Sequence, residues 1–277
     1  MGLTSSGSLV SSPLHRHQVD IDIHRAELAI SHMFANEVDL QLRIPYFIKD
    51  QTSSIEFLEQ ATAEQSANAR RNSDIHHRTE RYEGFGDAEF TVGWRSYGLL
   101  TDDDTLRIGL GLTIPFGSTE ENPWRPEEAG LEHLHIQFGN GTVDPIIDLY
   151  YGHAFNDRWA ASLFAKTRLP FYENSKGYQG SIEAVISPGI QFRPSPRLSL
   201  SGGLTGNYLG RSQWSETGTD PNSGAFLAYA SLGAGYIFGD AVTGSLSVNV
   251  PIYSDLFGEE DGLDAAPIIS LSISRQF

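Results

Sequence analysis

The 277-residue sequence contains no cysteine. That excludes a disulfide framework, a thiolate nucleophile, a cysteine-ligated zinc site and covalent haem attachment. Basic residues are few: 19 Lys+Arg stand against 35 Asp+Glu, for a formal net charge of −16. A phosphate backbone is bound by a basic stripe, so nucleic acid is not expected as a partner. No apolar run approaches the ~18–20 residues of a membrane helix. The first residues, Met1-Gly2-Leu3-Thr4-Ser5-Ser6-Gly7, have neither the basic region nor the apolar core of a signal peptide. The expectation is therefore a cytoplasmic chain or one whose leader has been removed. One membrane class survives these absences. A spanning β-barrel alternates apolar and polar residues, so a mean hydropathy of −0.27 suits it as well as it suits a soluble protein.

What the sequence does contain is a period of two. From Val38 to Ile48, the residues Val38, Leu40, Leu42, Ile44 and Tyr46 share one face, with Asp39, Gln41 and Arg43 on the other. Leu106, Ile108, Leu110, Leu112, Ile114 and Phe116 alternate with Arg107, Gly109, Gly111 and Thr113 in the same way. Eleven such segments are predicted, near 18–34, 38–48, 86–100, 104–117, 142–155, 159–172, 180–193, 198–210, 224–238, 242–254 and 266–277. They run about 10–15 residues, against ~5–6 in a typical globular strand. A tilted membrane strand needs ~9–11 residues in the hydrocarbon. The length points to a bilayer.

The connections sort by size. Short turns at Asn36, Asp102, Asp157, Ser195 and Asp240 alternate with longer polar loops near 49–85, 118–141, 173–179, 211–223 and 255–265. Tight periplasmic turns and longer outer loops are the habit of outer-membrane barrels. Because such barrels carry an even strand count, a twelfth strand is expected before residue 15, with Ser6 to Ser12 as its candidate. Residues 18–34 change phase, from Val19, Ile21 and Ile23 to Ala26, Leu28 and Ile30, which predicts a bulge near His24–Arg25. Aromatics such as Tyr97, Phe116, Trp159, Tyr172, Tyr236 and Tyr253 fall at segment ends, where interfacial girdles lie. The last strand closes on Phe277.

Several motifs carry a family resemblance. The run from Met33 to Tyr46 resembles a hairpin entering an amphipathic strand that ends Pro45-Tyr46. Gly84-Phe85-Gly86-Asp87, Gly109 through Pro115-Phe116-Gly117, Gly139-Asn140-Gly141-Thr142-Val143-Asp144 and Ser187-Pro188-Gly189 follow in order. Together they resemble the outer-membrane barrel family grouped under the meta-pathway of phenol degradation. The resemblance covers about residues 30–277 and implies an outer-membrane transporter or porin.

The polar face carries Asp20, Asp22, Asp39, Arg43, Asp87, Glu89, Arg95, Arg107, Asp144, Asp148, Lys166, Arg168, Glu183 and Arg193. These are the expected lumen residues, either as a charged filter or as an ion-pair network that fills the barrel. His15-x-His17 and His133-x-His135 each place two imidazoles on one face of an extended segment, the spacing for a metal chelate, although a full site needs further ligands. Residues 53–71 break the β pattern and suggest a short helix within the 49–85 loop, which folds inward or caps the barrel. No G-x-S-x-G motif and no Ser/His/Asn set appears, so catalysis is not expected.

The chain is thus read as one domain over 1–277: an all-β, antiparallel up-and-down transmembrane barrel of twelve strands, with residues 1–17 assigned to its first strand. Its expected role is a porin or transporter in the outer membrane of a Gram-negative bacterium. It would pass small hydrophobic, aromatic or weakly polar molecules and work as a monomer among lipid and lipopolysaccharide, with oligomers left open. The alternatives are a closed structural or partner-binding barrel and, below it, a metal-binding barrel. No cofactor is expected.

Overall fold

The fold was taken from a computed structural model, which describes all residues except 1, 4–8, 11–12, 35–36, 77, 126–135, 240, 258–261 and 277. In chain order the strands are β1 (Gly2–Leu3), β2 (Leu9–Val10), β3 (His15–Met33), β4 (Val38–Phe57), β5 (Glu80–Phe85), β6 (Ala88–Tyr97), β7 (Asp104–Ile114) and β8 (Pro145–Ala154). They continue as β9 (Trp159–Arg168), β10 (Tyr178–Gln179), β11 (Glu183–Ser195), β12 (Leu198–Leu209), β13 (Gln213–Trp214), β14 (Gly218–Thr219), β15 (Ala225–Phe238), β16 (Val242–Leu256) and β17 (Ile268–Arg275). The one helix among the described residues is α1 (Ala63–His76). Among the described residues, no helix is long and apolar enough to cross a membrane.

One 12-stranded antiparallel sheet dominates, in the order β17-β16-β15-β12-β11-β9-β8-β7-β6-β4-β3, with β5 pairing beside β6 on β4. Neighbours on this path are successive long strands, the up-and-down order of an outer-membrane barrel. The strand before residue 15 falls largely outside the described residues. The pieces described there, β1 and β2, pair with each other in a small separate sheet, and the twelfth member of the large sheet is β5.

Polarity is inverted relative to a soluble core. Asp39 and Asp144 are 2% and 0% exposed, whereas Leu110, Leu232 and Leu271 are 61%, 72% and 76% exposed. Only hydrocarbon makes that arrangement favourable, because it rewards apolar side chains outside and leaves polar ones to the interior. The exposed aromatics fall into two belts. Phe34, Tyr97, Trp159, Tyr236 and Phe238 lie at the short-turn end; Phe85, Phe116, Phe171, Tyr172 and Tyr253 lie at the long-loop end.

Two expectations about the first hairpin are corrected. β4 does not stop near residue 48 but continues to Phe57, and β5 occupies Glu80–Phe85, so the outer connection shortens to residues 58–79. No bulge interrupts β3 either: its register against β4 is continuous from His15↔Phe57 to Met33↔Asp39. With 19 and 20 residues, β3 and β4 are about twice as long as a bilayer crossing requires. The phase change near Arg25 therefore marks where the hairpin leaves the hydrocarbon. Above that level a strand no longer has to present apolar residues outward. Asp20 and Asp22 consequently lie on the outward face with Leu28 and Ile30, not in the lumen, and Val19, Ile21 and Ile23 turn inward.

The helix lies further along than expected, at 63–76 rather than 53–71. It opens with a reciprocal cap: Thr62 Oγ1 accepts the Gln65 amide at 3.2 Å, and Gln65 Oε1 accepts the Thr62 amide at 2.9 Å. Ser73 Oγ lies 3.1 Å from Ser53 Oγ, and Ala69 and Ser73 are buried. Ser53 is on the inward face of β4, so α1 leans over the outer mouth.

The inverted polarity yields a direct test. Leu110→Arg on the outward face should lower stability by about 2–4 kcal/mol, measured by urea unfolding of the refolded barrel in lipid vesicles. Ser201→Arg on the inward face should cost far less.

Candidate functional site

The inward-facing charges are grouped. Arg107 on β7 reaches over β6 to place Nε 2.9 Å and Nη2 2.8 Å from Asp39 on β4. Its Nη1 donates to Asp148 on β8. Arg95 adds a second cation, 3.8 Å from Asp39. Two glycines make this possible. A Cβ at Gly93 would collide with the Arg107 guanidinium, and one at Gly109 with the Asp148 carboxylate. The bridge therefore lies flat against the wall instead of projecting into the lumen. All three side chains of the bridge are under a tenth exposed.

A second group sits nearer the outer end. Lys166 on β9 spans two strands to reach Glu89 on β6, at 2.5 and 2.6 Å. Arg168 donates to Glu183, and its Nε lies 3.9 Å from Asp144. Asp144 is held by Thr142 Oγ1 at 2.6 Å and Asn140 Nδ2 at 2.9 Å, while its own amide donates to Thr113 Oγ1 at 2.8 Å. The first group sets two cations against two carboxylates; the second sets Lys166 and Arg168 against Glu89, Asp144 and Glu183, with the third carboxylate, Asp144, held by Thr142 and Asn140.

Asp87 is the third feature. Its carboxylate accepts the backbone N–H of Gly117 at 3.1 Å and of Asn140 at 2.8 Å. The Gly86-Asp87, Gly117 and Gly139-Asn140 motifs, far apart in sequence, thus converge into one knot. A Cβ at Gly139 would strike Asp87, and one at Gly117 would strike Gly139. The knot pulls the outer loop onto the barrel, where Lys49 Nζ donates to the Gln137 carbonyl at 2.9 Å and lies 4.7 Å from the Phe138 ring centroid. Neighbouring loops join it: Lys176 Nζ donates to the Thr119 carbonyl, Asn174 Nδ2 to the Asn140 carbonyl, and Arg125 Nε to Glu216. Tyr178 on β10 and Trp214 on β13 pack at a tilt beside them, 4.8 Å between centroids. In these loops burial raises the Asp87 carboxyl above its ordinary value, opposed by the two backbone donors. Burial likewise raises Glu120, opposed by Lys176, and the Tyr178 phenol.

Of the sequence-derived lumen residues, Asp39, Arg95, Arg107 and Asp148 form the first group, and Glu89, Asp144, Lys166, Arg168 and Glu183 the second. Arg43 pairs instead with Glu27 on β3 at 3.4 Å, and Arg193 is exposed at the short-turn end, bonded to Gln191. His133 and His135 lie outside the described residues. His15 and His17 do meet, Nε2 to Nε2 at 2.9 Å. Among the described residues, no group of three or more His, Cys, Asp or Glu is arranged to hold a metal.

Uncharged inward-facing residues were overlooked in the sequence, although the period of two places them. Tyr150 shares a face with Asp148, and Phe164 with Lys166; these two rings are cross-strand partners. Tyr229 continues the band at 5% exposure. Beyond it, β12, β15, β16 and β17 face inward with Ser199, Ser201, Gly233, Ser245, Ser247 and Ser272. One wall is thus charged, ion-paired and flat; the other is small and hydroxylated.

No protein-family profile matches the sequence, and no curated protein aligns with it. Among solved structures, the fold is similar to the COG4313 outer membrane channel from Pseudomonas putida F1, with a TM-score of 0.57 and 13% identity over 92% of this chain and 82% of that one. It also aligns with the CymD monoaromatic hydrocarbon channel at 12% identity over 94% of this chain and 74% of that one, with a TM-score of 0.42. The first likeness establishes the fold, that of an outer-membrane β-barrel.

Two measurements test this interior. Arg107→Met leaves buried Asp148 without the cation that bonds it and Asp39 with only Arg95, 3.8 Å away, and should destabilise the barrel by about 3–5 kcal/mol, read by urea unfolding. For Asp87, the closed loop binds the proton more tightly than an opened one. Loop closure should therefore strengthen as pH falls from neutral through the raised value and level off below the ordinary 3.8. Hydrogen exchange at the Gly117 and Asn140 amides, corrected for intrinsic rate, reads this, and Asp87→Asn should abolish the trend.

Proposed function

We propose that the chain is an outer-membrane channel for passive passage of small hydrophobic, aromatic or weakly polar molecules. The observation that carries this reading is the Arg107 bridge, which pairs charge along the wall instead of aiming it at the lumen. Asp39, Arg107 and Asp148 satisfy one another along the wall, over Gly93 and Gly109. A lumen built to select ions aims unpaired charge at the solute; this one spends its charge on itself. The surface left for a solute is the aromatic pair of Tyr150 and Phe164 and the hydroxyl wall opposite.

The barrel fold supports placement in a Gram-negative outer membrane, with lipid at the outward apolar face and lipopolysaccharide around the extended β3–β4 hairpin. The protein works as a monomer, without chemistry of its own. That the COG4313 relative is a channel supports the same reading.

A second reading is favoured by the outer mouth itself. In this reading α1 and the three tied loops close the barrel, which serves a structural or partner-binding role. Liposome swelling separates the two. Under the channel reading, vesicles carrying the protein admit a small neutral aromatic solute faster than a charged one of equal size. Gly233→Trp on the hydroxyl wall then returns the rate toward that of protein-free vesicles. Correctly folded protein with no permeability to either solute would favour the closed barrel.

A further inference from the structure

We propose that the outer end of β3 carries a two-imidazole site for a divalent transition metal of the Cu²⁺ type, built from His15 and His17. The hairpin above the membrane places both rings on one face of an extended strand, beside Phe57, in contact with water rather than lipid. Their Nε2 atoms lie 2.9 Å apart. One ring donates and the other accepts in this contact, so both Nε2 atoms are already turned toward the same point, where a metal can replace the bond between them.

The second observation concerns orientation. His15 Nδ1 lies 2.6 Å from the carbonyl oxygen of Pro13, a buried residue. That bond puts the proton on Nδ1 and leaves Nε2 with a lone pair directed at the gap. A ring nitrogen anchored on a backbone carbonyl is how proteins commonly fix the tautomer of a metal-ligating histidine.

Geometry narrows the metal. With metal–nitrogen bonds of ~2.0–2.1 Å, ligand atoms 2.9 Å apart subtend about 90° at the metal. A tetrahedral centre would need them ~3.3 Å apart. A right angle is the cis angle of a tetragonal or square-planar ion, which imidazole donors form with Cu²⁺ and Ni²⁺, and Cu²⁺ binds more tightly. Water completes the coordination sphere, since the site faces solvent. On binding, the metal replaces the bond between the rings, and the His17 ring hydrogen moves from Nε2 to Nδ1, so that both ligating imidazoles stay neutral.

The site stands apart from the proposed channel: it lies on the aqueous extension, and its occupancy does not depend on whether solute passes. The test uses the full chain refolded in detergent micelles, with Cu²⁺ as the only added metal. Calorimetry should show one Cu²⁺ per chain at this site, and electron paramagnetic resonance should show coupling to two nitrogens. Chelation raises affinity by ~10²–10⁴-fold over a single ligand. His15→Ala or His17→Ala should therefore weaken binding by about that factor and reduce the coupling to one nitrogen, while His24→Ala and the double variant His133→Ala/His135→Ala leave both readouts unchanged. Ligating imidazoles must be neutral, so acidifying from pH 8 to about 5 should release the metal. Retained heat-modifiable gel mobility confirms that each variant is folded. Affinity and nitrogen coupling unchanged in both His15→Ala and His17→Ala would overturn the proposal, as would loss of binding only in the His133/His135 variant.

Discussion

Hydrocarbon offers no hydrogen bonds, and the rest of this structure follows from that. Each backbone N–H and C=O at membrane depth has to be paired within the sheet, which is why the long strands run as an unbroken antiparallel meander with successive neighbours. The same solvent reverses the usual sorting of side chains. Leu232 and Leu271 face outward, and Asp39, Arg107 and Asp148 are enclosed. Once charges are enclosed they must neutralise each other, because an isolated buried ion costs far more than a paired one.

The glycines follow from this requirement. Arg107 spans from Asp39 on β4 to Asp148 on β8 only because Gly93 and Gly109 offer bare backbone beneath the bridge. At the outer end, Gly117 and Gly139 let two loop segments approach closely enough for both to donate to Asp87. In both places the absent Cβ decides how near charge can lie to the wall, and hence how much of the lumen is left to a solute. The economy of space is clearest where flat ion pairs face the hydroxyl wall of β12 and β15–β17.

The first hairpin shows what happens when the constraint is lifted. Below Arg25, the sequence Ala26, Leu28, Ile30 obeys the lipid. Above it, Asp20 and Asp22 point outward with no penalty, since the surroundings are aqueous. Taken as a break in periodicity, the change suggested a bulge; it is the level at which the solvent changes. The outer half of the hairpin then serves other ends, supporting α1 through Ser53 and displaying His15 and His17 side by side.

Period two and strand length made the barrel, its strand order, its short turns and the inward position of Asp39, Arg107 and Asp148 legible in the sequence alone, since each is a property of residues i and i+2 or of successive segments. The same period marks Tyr150, Phe164 and Tyr229 as inward. What sequence could not show was which charges meet. Arg107 joins Asp39 and Asp148 across 68 and 41 residues, Lys166 finds Glu89 across 77, and Asp87 collects Gly117 and Asn140 across 30 and 53. Nor could it assign the twelfth member of the sheet to β5 or turn α1 toward the mouth. Those outcomes depend on register, on side-chain reach across intervening strands and on where a glycine leaves room, and these exist only once the sheet has formed.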